Sequence, residues 1–165
     1  LVAIQMRALR NGENVGLDFT TVLDHMPFGL VEEDEETAET TDRAYWENRG
    51  SKKTVAMADQ LLEVVKTFDS ELELKYNKFY IGLAKNEQPY NFVTFRPKKG
   101  FMRFEPRLPD TTEMQERLDN AGLDLMDYDK RWGRYRIRLQ PSDIEKNRKI
   151  LQEIISEAFT NANQE

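Results

Sequence analysis

Arg134, Arg136 and Arg138 stand at every second position of one segment, Lys130 to Gln140 (KRWGRYRIRLQ). Alternate residues of an extended chain share a face, so the three guanidiniums would stand in line, roughly 7 Å apart. That interval resembles the spacing of successive phosphates along one nucleic-acid strand. Arginine grips phosphate with two parallel hydrogen bonds and also stacks on bases. A second group, Arg96, Lys98, Lys99 and Arg103, brackets a turn at Pro97-Lys98-Lys99-Gly100. Tyr80, Tyr90, Phe101 and Trp132 offer ring faces for unpaired bases. The chemistry these residues suit is recognition of a polyanion, DNA or RNA, with no bond made or broken. An ordinary solvated sheet face, its arginines paired to Glu73, Glu105 or an acidic run at 31–42, accounts for the same pattern.

Residues for bond-making chemistry are scarce. Glu73-Leu74-Lys75 has the Glu-x-Lys spacing of metal-dependent nucleases and puts both groups on one strand face. It follows directly on a helix, however, and no Pro-Asp partner stands on a preceding strand. His25 is the only histidine and there is no cysteine, so neither a zinc site nor a thiolate nucleophile can be assembled. A His-based triad would have to use His25, outside the main domain. Arg49-Gly50-Ser51-Lys52 lacks the first glycine of a nucleotide-binding loop, although a helix starting there offers backbone amides to an anion. We expect no catalytic residue, no metal and no cofactor in this fragment.

Charge is segregated along the chain. The net charge is −6, which taken whole argues against a nucleic-acid partner. Yet from Leu1 to Gly50 four arginines face eleven acids, whereas from Lys75 to Arg107 eight cations face only Glu87 and Glu105. Lys130 to Arg138 adds five cations and no acid. The separation points to a basic surface on an acidic protein.

The elements that must position these residues are legible from periodicity. The 165 residues suffice for one domain with a sizeable core and an appendage. Leu1 to Leu9 and Leu17 to Leu23 predict two strands around a turn, a hairpin within 1–30 that we read as the tail of an upstream domain. The abrupt start at Leu1, inside an apolar run, fits a fragment of a longer protein. Residues 31–42 form an acidic linker, and 43–165 form the main domain. Ser51 to Phe68 carries apolar residues at helical spacing, with Ser51 as cap. Leu72 to Tyr76 and Lys78 to Ala84 read as strands. Tyr90 to Arg107 (YNFVTFRPKKGFMRFEPR) reads as a hairpin. A helix follows from a cap at Asp110. Leu123 to Asp129 crosses back to the last strand, where Tyr135, Ile137 and Leu139 face the core. Pro141 stops that strand, and Ser142 with Glu145 caps a final helix. The order helix, four strands, helix, strand, helix predicts an α+β fold. It is a mostly antiparallel sheet of about five strands with helices packed on one face, preceded by a β-hairpin. Neither a membrane span nor a secretory signal is visible, and the lack of cysteine fits a cytoplasmic protein.

Four stretches together resemble an uncharacterised prokaryotic domain found at the C-terminus of multidomain proteins, some with restriction-endonuclease-like modules. They are Arg43-x-Tyr45-Trp46-Glu47, Lys78 to Leu83 (KFYIGL), Asn91 to Lys99 (NFVTFRPKK) and Tyr128 to Arg136 (YDKRWGRYR). The likeness spans roughly Arg43 to Phe159, and Leu1 to Leu23 is similar to the closing strands of such a nuclease-like module. The resemblance implies an accessory role beside a DNA-acting partner and supplies no catalytic residue. The leading expectation is a non-catalytic domain that binds nucleic acid through Arg96, Lys98, Lys99, Arg103, Arg134, Arg136 and Arg138, with Tyr80 and Trp132 stacking. The alternative is a protein-interaction or homodimerisation module, its acidic arm docking on the basic sheet.

Overall fold

Strands β1 (Val2–Asn11) and β2 (Asn14–Asp24) pair antiparallel, with one register irregularity at Ala3/Ile4. Chain contacts divide the protein into two units, 1–39 and 40–165, and this hairpin belongs to the first. The computed structural model describes residues 2–11, 14–24 and 41–164, with side chains over 41–164. His25 and the acidic run up to residue 40 lie outside the described residues. Asp42, the last acid of that run, caps α1 (Arg43–Arg49), where its carboxylate accepts from Tyr45 N–H at 2.9 Å.

Helix α1 is short, and Trp46 holds it. The Trp46 ring is buried, and Nε1–H donates to the Asn77 carbonyl at 2.9 Å. Gly50 and Ser51 then turn the chain into α2 (Lys52–Val65). Ser51 Oγ accepts from Thr54 N–H, and Thr54 Oγ1 accepts from Ser51 N–H, a reciprocal cap that satisfies two donors left over at a helix start. Val55, Ala58, Leu61 and Val65 recur at helical spacing and are fully buried.

The strands follow as β3 (Glu73–Tyr76), β4 (Ile81–Lys85), the two-residue β5 (Gln88–Pro89), β6 (Val93–Pro97) and β7 (Met102–Pro106). Asn77 marks a true turn between β3 and β4. Its Oδ1 accepts from the N–H groups of Phe79 and Tyr80 at 3.0 and 2.9 Å. After α3 (Thr112–Asn120) come β8 (Asp124–Asp129), β9 (Arg134–Leu139), α4 (Pro141–Lys146) and α5 (Arg148–Ala162). The sheet order is β3-β4-β6-β7-β9-β8, with β5 on β4, and every pairing is antiparallel. The α+β architecture therefore stands, with seven strands in this sheet rather than about five.

The extra strands are β5 and β8. Leu123 to Asp129, expected as a crossover, lies along β9 because Leu125 pairs with Ile137 and extends the buried side of the sheet. Two cap assignments also shift. Thr111, not Asp110, caps α3, with Oγ1 accepting from Met114 N–H at 3.2 Å, while Asp110 accepts from Gln115 Nε2. Pro141 opens α4 as well as ending β9, since a helix start needs no N–H there. The N-cap of α4 is Gln140, not Ser142, and its N–H donates to the Asp143 carboxylate at 2.7 Å. The predicted final helix is thus two helices, broken at Asn147.

Cross-strand register explains why the sheet has two unlike faces. Ile81 pairs with Phe95, Phe95 with Phe104, Phe104 with Ile137, and Ile137 with Leu125. The first four are completely buried and form one row, extended by Leu125 across five strands, with the Phe95 and Phe104 rings stacked 6.1 Å apart. Helices α2, α4 and α5 pack on that side, contributing Leu61, Ile144, Ile154 and Ile155 to the same core. One residue along, the pleat inverts. Arg96 pairs with Arg103, Arg103 with Arg138, and Arg138 with Asp124.

Candidate nucleic-acid interface

A row of three arginines on adjacent strands is unfavourable unless carboxylates answer it. The main one is Glu105 on β7, itself only 2 % exposed. Arg96 Nε lies 3.0 Å from its Oε2, and Arg103 Nε lies 2.6 Å from its Oε1. The first contact is also a hydrogen bond. The second is an ion pair whose N–H is not aimed at the oxygen. Thr94 Oγ1–H donates to the same carboxylate at 3.0 Å. At the far end of the row Arg138 meets Asp124 at 3.3 Å and lies 4.8 Å over the Phe101 ring, its Nε buried without a hydrogen-bond partner.

The β6–β7 turn carries Lys98 and Lys99 to the edge of this row. Lys98 N–H donates to the Phe101 carbonyl at 2.8 Å, which closes the turn. Both lysines are exposed, and no carboxylate among the described residues lies within ion-pair distance of either. Although the residue is largely exposed, partial desolvation lowers the Lys98 ammonium from its ordinary value, and the guanidiniums of Arg103, Arg49 and Arg96 push it further the same way against Glu105.

Arg49 is the member of this cluster that spacing along the sequence does not reveal. It stands at the end of α1, far from the strands in sequence. It comes to the turn because Gly50 packs on Pro97, so closely that a Cβ at residue 50 would stand 3.0 Å from Pro97 Cβ. Arg49 also lies over the rings of Tyr45 and Trp46, at 5.9 and 5.7 Å. Tyr80 joins from the β3–β4 turn, with Arg96 over its ring at 5.8 Å. Gly82 leaves room for that ring and for Asn91, whose Oδ1 accepts from Leu83 N–H at 2.8 Å across the β4–β6 gap.

The other expected site residues lie elsewhere or have other partners. Arg134 donates to the carbonyls of Glu105 (2.9 Å) and Asn91 (2.7 Å) and to Thr94 Oγ1 (3.3 Å). Burial pushes its pKa down, with Glu105 opposing. Its guanidinium ties β6, β7 and β9 together. Arg136 donates to the Asp127 carbonyl at 2.6 Å. Of the three rungs of β9, Arg138 is the one that shares a register row with Arg103 and Arg96. Trp132 is 47 % exposed, in the β8–β9 turn with Arg131 stacked over it. It precedes the start of β9, whereas Arg138 lies four residues into that strand, about 13 Å along it at the usual rise. Tyr90 belongs to the helical side, packed on Phe159 and bonded to Asn163. Glu73 and Lys75 sit on edge strand β3, where Lys75 Nζ donates to the Glu87 carbonyl. Among the described residues no group of three His, Cys, Asp or Glu is placed to hold a metal ion, and no helix is long and apolar enough to cross a membrane.

The fold and this surface define an α+β domain with an open antiparallel sheet, one face covered by helices and the other basic. Comparison with protein-family models, with curated proteins and with solved structures finds no match for this chain.

Proposed function

We propose that this protein is a non-catalytic accessory domain that binds nucleic acid through the uncovered face of its sheet, acting in the cytoplasm beside an upstream nuclease-like module. The observation that carries this reading is the row Arg96, Arg103 and Arg138, continued by Lys98, Lys99 and Arg49 and answered by only two carboxylates among the described residues. Such a surplus on a chain of net charge −6 has the electrostatics of a phosphate-binding surface. The ring faces of Tyr80 and Phe101, each already under an arginine, suit unpaired bases better than a closed duplex.

Fluorescence anisotropy with a labelled single strand and a labelled duplex, at low and moderate salt, tests the reading. The expected result is micromolar or tighter binding that weakens steeply with salt. Lys98→Ala, Lys99→Ala and Arg138→Ala should each lower the salt slope by about one. An unchanged affinity in the triple variant overturns it. No binding at low salt, together with an oligomer that dissolves at high salt in light scattering, would make self-association the function of this face.

A further inference from the structure

The cations of the uncovered face are grouped, not strung out. Arg134 and Arg136 serve backbone carbonyls. The others sit across strand ends: Arg96, Arg103 and Arg138 in one register row, Lys98 in the turn beside it, and Arg49 brought near by the Gly50–Pro97 contact. There Arg49 donates to the Tyr45 hydroxyl at 2.5 Å and to the Lys78 carbonyl at 3.4 Å, and it has no carboxylate partner among the described residues. Neighbouring strands lie about 4.8 Å apart, so the row spans about 10 Å. That covers one or two phosphates, too short for a groove that follows a strand over many nucleotides. Within it five cations face Glu105 and Asp124.

A compact surplus of this kind matches a group that concentrates its charge. A phosphodiester carries one negative charge. A terminal phosphomonoester carries about 1.5 to 2 near neutral pH and presents three acceptor oxygens. We infer that the cluster of Arg49, Lys98, Arg103 and Arg138 is an end-binding site, which takes the terminal phosphomonoester of a single nucleic-acid strand and stacks the adjoining base on Tyr80 and Arg96. This rests on the nucleic-acid reading and adds to it the part of the strand that is recognised. Arg96 and Arg103 reach the ligand already oriented by Glu105. Lys98 and Arg49 answer the phosphate without a carboxylate of their own among the described residues.

The test uses the whole chain and short labelled strands of one sequence, ending in a 5′-phosphate, a 3′-phosphate or a hydroxyl, with inorganic phosphate and a nucleoside monophosphate as competitors. One phosphorylated end should bind about tenfold or more tighter than the hydroxyl end, as expected for added charge-assisted hydrogen bonds. Lys98→Ala and Arg49→Ala should remove most of that preference, while Lys149→Ala on the helical side keeps it. Both cluster residues are exposed, so thermal melts should show these variants folded. Equal binding of all three strands, weakened alike by Lys98→Ala, overturns end recognition and leaves the nucleic-acid reading standing. Competition by the monophosphate as strong as by the strand overturns the strand as ligand and leaves a nucleotide site. Binding of no strand overturns both readings.

Discussion

Arg96 and Glu105 face each other diagonally across the β6–β7 hairpin, Nε to Oε2 at 3.0 Å, with the carboxylate buried and the guanidinium about one-third exposed. The same carboxylate holds Arg103. One buried acid thus orders two of the cations that the outer face presents. Removing it should separate two effects that usually move together. Glu105→Gln should destabilise the fold by about 2–3 kcal/mol, somewhat below the cost of breaking a fully buried pair because the arginines retain water. It should at the same time tighten nucleic-acid binding, since the face gains a net positive charge. Urea unfolding and anisotropy on one preparation read both. Weaker binding at intact fold would mean that Arg96 and Arg103 act only when held by Glu105.

Arg134 and Arg138 stand on one strand and should behave as different kinds of residue. Arg134→Ala removes the donor to two carbonyls and a threonine, leaves those acceptors buried, and should cost about 2–3 kcal/mol of stability. Arg138→Ala should cost under about 1 kcal/mol, because its partner Asp124 is exposed. Its effect should fall on binding. Denaturant midpoints for both variants check the contrast, and equal midpoints would remove the structural role given to Arg134.

Gly82 should tolerate no side chain. A Cβ there would overlap Asn91 Oδ1, the acceptor for Leu83 N–H, and press on the Tyr80 ring. Strands β4 and β6 share a single register pair, so this side-chain bond is a main tie between them. Gly82→Ala should destabilise by about 2–4 kcal/mol, the range for overpacking plus a lost buried hydrogen bond. Asn91→Ala alone should cost less. Thermal melting of both variants decides the order.

Acid should weaken the fold in part through Asp69. The hydrogen bond from Lys85 Nζ, at 2.6 Å, holds its carboxyl below the usual range, and the Glu71 N–H adds to this. The folded value lies below the unfolded one. The stabilisation is therefore complete above the ordinary carboxylate pKa of about 4 and is lost as pH falls through the folded value. Asp69→Asn should flatten the acid limb of a stability–pH curve and leave its neutral and alkaline limbs in shape. An acid limb unchanged in Asp69→Asn would assign the pH dependence to other carboxylates.

What the sequence settled is what strand and helix geometry settle locally. Strict alternation in β9 put Tyr135, Ile137 and Leu139 inside and the arginines outside, because side chains of an extended chain alternate whatever the neighbours are. Ser51 could be read as a cap, and Pro97 to Gly100 as a turn, from the conformational preferences of single residues. Leu123 to Asp129 could not be read as a strand, since its mixed burial makes sense only beside β9. The tertiary structure alone decided which cations meet. Arg96, Arg103 and Arg138 became neighbours through strand pairings, the longer of which joins residues 103 and 138. Arg49 joined them only because a glycine let a helix end close on Pro97, and Arg134 left them because three acceptors from other strands converge on it. Local alternation says which face a side chain takes. Register and packing between distant segments decide whether a charge on that face stays open to solvent or is held inside the fold.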